Sequence, residues 1–336
     1  FGFDVDDAEP AVEMVDDETA GELVRLPRLT DSKYSRGVVG LVTGSARYPG
    51  AAVLTVKGAS RANVGMVRYL GPQRAQDMVL AARPEAVLGK GHVQSWVVGS
   101  GVPGADDDPD GDDIQRETIG RLLRHYDAGE PDAPNGVEPE SDVYNMPPIV
   151  VDAGALELLP NRVPPQVLIT PHAAELARLL QRLGEDVDVD DVLAEPWRCA
   201  RRAHALTGAT VLLKGAVTIL VGEEDGEDRT ILSGAAPAWL STAGAGDVLA
   251  GMLGALLAQN APDTPHTDTS TVEIAAVGAY LHGLAAGLAA DSEQRGWSVP
   301  AVYGQHHAEP ASAPGHPIIA SDIVAAIPRV FEEVIQ

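Results

Sequence analysis

Thr242-Ala243-Gly244-Ala245-Gly246-Asp247 runs straight into Val248, Leu249, Met252, Leu253, Leu256 and Leu257, apolar residues at helical spacing. The stretch therefore reads as a helix with small residues at its mouth and an aspartate in its first turn. The first amides of a helix have no intrahelical partner, and together with the helix dipole they make an anion site. The same dipole favours the charged form of Asp247, so its carboxylate is expected to stay ionised. From there it would take a proton from a hydroxyl while the glycines hold the charge developing on a transferring phosphoryl group. An ordinary glycine turn with Asp247 capping the helix is the alternative.

Outward from this helix, short apolar runs alternate with helical patterns along the whole chain. Strands are predicted at 38–43, 66–70, 86–88, 96–99, 149–152, 167–170 and 211–214, followed by a meander at 217–221 and 230–233. Helices are predicted at 51–63, 114–125, 173–182, 196–207, 248–259, 274–290 and 321–333. The alternation predicts an α/β fold with a mostly parallel sheet wrapped by helices, whose ligands gather at the carboxyl ends of the strands.

With 336 residues the chain is long enough for one large α/β domain or two small ones. Its net charge of −25 argues against nucleic acid or an anionic membrane as partner. The single cysteine, Cys199, rules out an intramolecular disulfide and fits a reducing compartment. No apolar run reads as long enough to span a bilayer and no secretory leader is visible, so a cytoplasmic location is expected. Residues 1–28 are acidic with only short apolar pairs, and read as a linker or the tail of an upstream domain, outside the main core. The domain proper is expected at 29–336, with acidic, exposed insertions at 104–113 and 129–141 and further polar loops at 222–228 and 264–271.

Several motifs sit on predicted strand ends. Val97-Val98-Gly99-Ser100-Gly101-Val102-Pro103-Gly104 matches a G-x-G-x-x-G pattern, but Pro103 and an acidic loop follow where a dinucleotide fold needs a helix. A glycine turn open to close ligand approach is the better reading. Asp106, Asp108, Asp110, Gly111 and Glu117 match a calcium-loop spacing, yet no helix enters the loop and Asp113 stands where an apolar residue belongs, so no tight calcium site is expected. Thr170-Pro171-His172-Ala173-Ala174-Glu175 leaves a strand and opens a helix, which puts His172 and Glu175 near the strand's carboxyl end. Lys214-Gly215-Ala216-Val217-Thr218 joins two β-branched strands, and a lysine ending a buried strand must reach solvent or an anion. The loop from Gly44 to Ala52 is a second small-residue turn at a helix mouth. A capped helix start, a hairpin-turn lysine and a tight packing turn are the respective alternatives. Walker A, zinc-cluster and G-x-S-x-G patterns are absent.

In chain order, Lys33-Tyr34-Ser35-Arg36-Gly37, the Gly44–Ala52 loop, Gly99-Ser100-Gly101, Thr170–Glu175, Lys214–Thr218 and Ala243–Gly251 together resemble the NAD(P)H-hydrate dehydratase family. The resemblance runs from about residue 30 to the end, less the acidic insertions. It implies a ribokinase-like three-layer αβα sandwich and dehydration of the S-epimer of hydrated NADH or NADPH through a phosphorylated intermediate. ADP is the expected phosphoryl donor, with magnesium carried on its phosphates. The resemblance makes Asp247 the base on the 6-hydroxyl and sets Gly244, Ala245 and Gly246 on the phosphoryl group. It sets Lys214, Gly215, Ala216, Val217 and Thr218 on the nucleotide, and Ala51, Gly101 and His172 on the hydrated dinucleotide. No protein metal ligand is expected. A homotetramer is implied, and residues 1–26 resemble the end of an epimerase domain fused upstream.

Two departures stand out. Ala245 replaces the threonine of a Gly-Gly-Thr-Gly-Asp loop, which removes a hydroxyl and retains the backbone donors. Ala173-Ala174 replaces Pro-Gly within a Pro-His-Pro-Gly-Glu segment. The rival enzyme reading is a vitamin kinase of the same fold, acting on a hydroxyethylthiazole or hydroxymethylpyrimidine alcohol; such kinases generally carry Asn where His172 stands. A nucleotide-binding regulator without turnover is the non-enzymatic alternative.

Overall fold

A computed structural model describes residues 12–107, 113–129, 142–261, 269–293 and 315–335. Its sheet comprises β1 (Glu13–Met14), β2 (Val38–Val42), β3 (Met66–Tyr69), β4 (Val87–Leu88), β5 (Ser95–Val98), β6 (Ile149–Val151), β7 (Val167–Ile169), β8 (Thr210–Leu213), β9 (Thr218–Glu224) and β10 (Glu227–Ser233). The order across it is β1-β10-β9-β8-β7-β6-β5-β2-β3-β4. Neighbours from β8 to β4 and the β1–β10 pair are parallel, while β8–β9 and β9–β10 are antiparallel. The helices are α1 (Asp17–Leu23), α2 (Pro49–Arg61), α3 (Gln73–Ala82), α4 (Ile114–Leu123), α5 (Ala173–Arg182), α6 (Val189–Ala194), α7 (Pro196–Thr207), α8 (Ala245–Gln259), α9 (Thr271–Ala290) and α10 (Ala320–Ile335).

Strand side chains alternate between two cores, as the pleat requires. Leu41, Val97, Val150, Leu168, Leu212 and Leu220 face a core shared with α1, α2, α3, α8, α9 and α10. Val42, Val98, Val151, Ile169, Leu213 and Val221 face the other, covered by α4, α5, α6 and α7. Both faces of the sheet are buried, which is why its strands read as unbroken apolar runs. The three-layer αβα expectation holds.

Helix α8 is buried on nearly every side. Its crossing with α2 depends on the absence of side chains: a Cβ at Gly251 would lie 2.2 Å from the Thr55 carbonyl oxygen, and one at Gly58 would lie 2.5 Å from that of Val248. The two backbones therefore touch, which holds the mouth of α8 against the sheet edge. The sequence alone did not reveal α3, α6 or the 3-10 turns at Ala153–Leu158. In α3 only Ala75 and Val79 are buried, too short a stripe to read as a period.

Three expectations are corrected. The first concerns the N-terminal segment, which was read as lying outside the core. β1 pairs with β10, and Val15, Ala20 and Val24 are buried in the main core. Arg229 bonds the carboxylates of Glu13, Glu224 and Glu273, and the Tyr280 hydroxyl donates to Asp17 at 2.8 Å. These apolar residues are too widely spaced to form a stripe and are buried only because α9 and β10 come to meet them. The second concerns length. Helix α9 has 20 residues and is apolar enough to cross a bilayer, but 78% of its apolar window is buried inside the fold. It is a core helix by position. The third concerns Asp113, which is no part of an open acidic loop: its carboxylate accepts from the Gln115 and Arg116 amides and caps α4. Residues 108–112, 130–141 and 262–268 lie outside the described residues, among them Asp108, Asp110 and Gly111 of the calcium spacing and most of the insertion at 129–141.

Ala20→Asp tests the first correction. An unpaired carboxylate at a fully buried site should lower stability by about 2 kcal/mol or more, read as a drop in the urea midpoint. An unchanged midpoint would return residues 13–24 to the role of a loose tail.

Candidate active site

Because β2, β5, β6, β7 and β8 run parallel, their carboxyl ends finish side by side and release Thr43-Gly44, Gly99-Ser100-Gly101, Asp152, Thr170 and Lys214 onto one edge. Asp152 is the hub. Its carboxylate accepts from the hydroxyl of Ser100 at 2.8 Å, the hydroxyl of Thr170 at 2.8 Å and the ammonium of Lys214 at 3.0 Å. Lys214 Nζ also stands 3.7 Å from Glu175 Oε2. Burial opposes the charge on Asp152, but Lys214, Ser100 and Thr170 hold its carboxyl below the ordinary aspartate range. Burial likewise opposes the Lys214 ammonium, and Asp152 and Glu175 hold it above the usual lysine value. Both groups are therefore charged at neutral pH.

The mouth of α8 opens beside this pair. Gly244 takes φ 86°, a left-handed conformation that turns the chain into the helix. A Cβ placed on Gly246 would meet only Lys214 Nζ, at 3.9 Å, so the space beside Gly246 is open toward a cation. Asp247 follows in the first turn. Its expected ionisation does not hold: burial, with the nearby Asp152 charge adding to it, pushes its carboxyl up to about 7 against the pull of Lys214. Desolvation and a like charge outweigh the helix dipole here, because Lys214 is already committed to Asp152. A carboxyl poised near neutrality suits a general base better than a permanently charged one.

The opposite wall comes from the two glycine turns. Gly101, at φ 69°, leaves no room for a side chain: a Cβ there would lie 2.3 Å from that of Ala51. Ala51 and Gly101 are thus in contact, and the Gly44 amide donates to the Ser100 carbonyl at 2.6 Å. No helix starts at Gly101, in keeping with the rejected dinucleotide motif. His172 caps α5 in a capping box: its Nδ1 accepts from the Glu175 amide at 3.3 Å, and the Glu175 carboxylate accepts from the His172 amide at 2.8 Å. The imidazole itself is exposed at the rim. Gly215, Ala216 and Val217 form the β8–β9 turn, with Thr218 opening β9. Between the glycine turns and α5 lies a cleft of about 460 Å³, lined by Tyr48, Gly101, Gly154, Glu175 and Arg178 among others.

The structure thus brings Gly244, Ala245, Gly246 and Asp247 together at the mouth of α8 beside Lys214, sets Ala51 against Gly101, and joins His172 to Glu175, which faces Lys214. Asp152, Ser100 and Thr170 were missed as site residues. The available signal was an aspartate ending an otherwise apolar strand, Ile149-Val150-Val151-Asp152.

Lys214→Met should strand the buried Asp152 carboxylate. Breaking such a pair is expected to lower stability by roughly 3–5 kcal/mol, and Asp152→Asn in the same chain should recover part of it. Urea unfolding of the single and double variants is the measurement, and additive losses would mean the two groups do not act as a pair.

Comparison with known proteins gives concordant results. A family model described as NAD(P)H-hydrate dehydratase matches residues 139–303. Bifunctional NAD(P)H-hydrate repair enzymes of Mycobacterium leprae and Corynebacterium glutamicum are 39% and 35% identical over 277 residues, covering 79% and 78% of this chain. The chain spans about half the length of these relatives, 48% and 44% respectively. The ADP-dependent (S)-NAD(P)H-hydrate dehydratase of Neisseria meningitidis serogroup B is 33% identical, with 79% of this chain and 81% of that protein covered. Among solved structures, the ADP/ATP-dependent NAD(P)H-hydrate dehydratase of Bacillus subtilis matches with a TM-score of 0.68 at 21% identity, covering 96% of this chain and 99% of that one. A ribokinase-like superfamily protein of Enterococcus faecalis matches at 0.68 and 17% identity, covering 97% and 98%; these two likenesses bear on the fold. The parallel edge, the aspartate at the mouth of α8 and a third of identical residues over four-fifths of the Neisseria relative agree: the chain belongs to the NAD(P)H-hydrate dehydratase family.

Proposed function

We propose that this chain dehydrates the S-epimer of hydrated NADH or NADPH, using ADP and releasing AMP and phosphate. The observation that carries the reading is the position and ionisation of Asp247: a single carboxyl near neutrality, in the first turn of α8, beside Lys214. Water is a poor leaving group, so the 6-hydroxyl must first become a phosphate ester. In this reading the Asp247 carboxylate accepts the hydroxyl proton, the freed oxygen attacks the β-phosphorus of ADP, and AMP departs. The amides of Gly244 and Gly246 then face the charge on the transferring phosphoryl group, while that of Ala245 donates to the Thr242 carbonyl at 3.3 Å and shapes the turn. The ester's C–O bond breaks next, phosphate leaves, and a proton lost from the adjacent ring carbon restores the double bond. The β8–β9 turn, Lys214 to Thr218, holds the nucleotide, while Ala51, Gly101 and His172 face the dinucleotide.

Magnesium belongs to the same proposal. Among the described residues no three His, Cys, Asp or Glu side chains cluster as a metal cage, and Asp152 accepts from Ser100, Thr170 and Lys214. In this reading the ion would be held by the nucleotide's own phosphates, with Asp247 the carboxylate at the mouth of α8, and would neutralise charge on the diphosphate. The names of the Neisseria and Bacillus relatives support ADP as donor. The bifunctional relatives, of which this chain spans about half, support an epimerase partner in the same polypeptide. A homotetramer and a cytoplasmic location complete the proposal, the former open to sedimentation analysis.

Incubation with hydrated NADH, magnesium and ADP should regenerate reduced-nicotinamide absorbance with AMP and phosphate formed in equal amounts. A stable phosphorylated alcohol in place of free phosphate would favour the kinase reading instead. Asp247→Asn should lower kcat by ~10²-fold or more while nucleotide still binds. The active form is the carboxylate, so kcat/KM should rise with pH up to about 7 and level off above it. Stability should move the opposite way. The folded-state value lies above the ordinary 3.8, so the unfolded chain loses this proton first and stability falls as pH rises from about 4 to about 7. Asp247→Asn should therefore unfold at higher urea than the parent at pH 8, with the gap closing at pH 4.

A further inference from the structure

The cleft beside the reacting centre contains a cation that the reading above does not use. Arg178 lies on α5 one turn past Glu175, is exposed, and makes no hydrogen bond or ion pair with any described residue. Of the other charged residues lining the cleft, Asp106 bonds to no described residue, while Arg182 donates to the Glu157 and Leu159 carbonyls at 2.9 and 2.8 Å and Glu157 is paired with Arg116 at 2.9 Å. Glu175 is bound to the His172 amide and faces Lys214. Across the cleft, Tyr48 and Gly101 form the other wall, and Tyr48 is 42% exposed. Helical side chains lean toward the helix N-terminus, so Arg178 leans back toward the strand ends.

We propose that Arg178 receives the pyrophosphate of the hydrated dinucleotide in this cleft, opposite Tyr48. The assignment rests on the function proposed above and extends it to substrate recognition. The spacing is apt. Glu175 reaches Lys214 at the reacting centre, and Arg178 stands one helical turn, about 5 Å, further along α5. In the dinucleotide the pyrophosphate sits one ribose away from the ring that carries the hydroxyl, whereas the 2′-phosphate of NADPH is a whole nucleotide away. A guanidinium with free donors suits a pyrophosphate, which offers oxygens in matching pairs. The residues assigned to ADP, the β8–β9 turn and the mouth of α8, are not among those that line the cleft.

The test is steady-state kinetics of Arg178→Ala with hydrated NADH, hydrated NADPH and ADP varied in turn. KM for both dinucleotides should rise on the order of tenfold, with kcat and the KM for ADP unchanged, and Arg178→Lys should recover part of the loss. An unchanged dinucleotide KM, a rise confined to the 2′-phosphorylated substrate, or a shift in the KM for ADP would each overturn the assignment. Equilibrium titration of both proteins with NADH, which carries the same pyrophosphate, separates this proposal from the one beneath it. If the parent chain fails to repair hydrated NADH but binds NADH more tightly than Arg178→Ala, the pyrophosphate site stands and the reaction assignment falls. Equal NADH affinity in the two proteins would remove the site.

Discussion

The buried pair of Asp152 and Lys214 is the interaction around which the candidate site is organised. Its geometry ties β5, β6, β7 and β8 together at their carboxyl ends, through Ser100, Asp152, Thr170 and Lys214. Its electrostatics reach further. A lysine shared among three carboxylates cannot neutralise all of them, and the hydrogen-bonded Asp152 takes the larger share. Asp247 has the same cation within range but also the Asp152 charge and a desolvated position, so its proton is held to near neutrality. Burial is the larger influence on Asp247, and the pair adds to it without holding that group by a hydrogen bond.

That arrangement requires α8 to lie close to the sheet, and packing supplies the closeness. The glycines at the α2–α8 crossing bring two backbones into contact, and the burial of α8 on all sides prevents it from lifting away. Beyond the crossing, α9 and α10 enclose the same core, and the N-terminal segment is sealed to it by β1, Ala20 and the Arg229 carboxylate cluster. Residues far from the chemistry in sequence thus contribute to the rigidity that holds the half-buried Asp247 in place.

Much of the architecture was legible because both faces of the sheet are covered. Apolar runs such as Ile149-Val150-Val151 and Val167-Leu168-Ile169 announce buried strands, and helix α5 was read to its end residues because its apolar stripe is regular and its start is capped. Helix α3 and the N-terminal segment were not, since their few buried residues gain their contacts from distant elements and carry no local period. The candidate site divides in the same way. Asp247, His172 and Lys214 stand at the ends of helices or strands, in segments with recognisable local chemistry. Asp152 and Thr170 look like ordinary strand ends until their neighbours in the sheet are known.

The sequence by itself determined the α/β class, the glycine turns, the helix mouth bearing Asp247 and the family resemblance, all of which are written in residues close together along the chain. The tertiary structure alone decided that Lys214 is claimed by Asp152 and that Ala51 meets Gly101. It also decided that Asp247 is lifted to near neutrality when its helix position alone predicts a permanent charge. The reason is physical: periodicity and capping are local, whereas desolvation and charge pairing depend on the distances between residues that only the parallel sheet brings together.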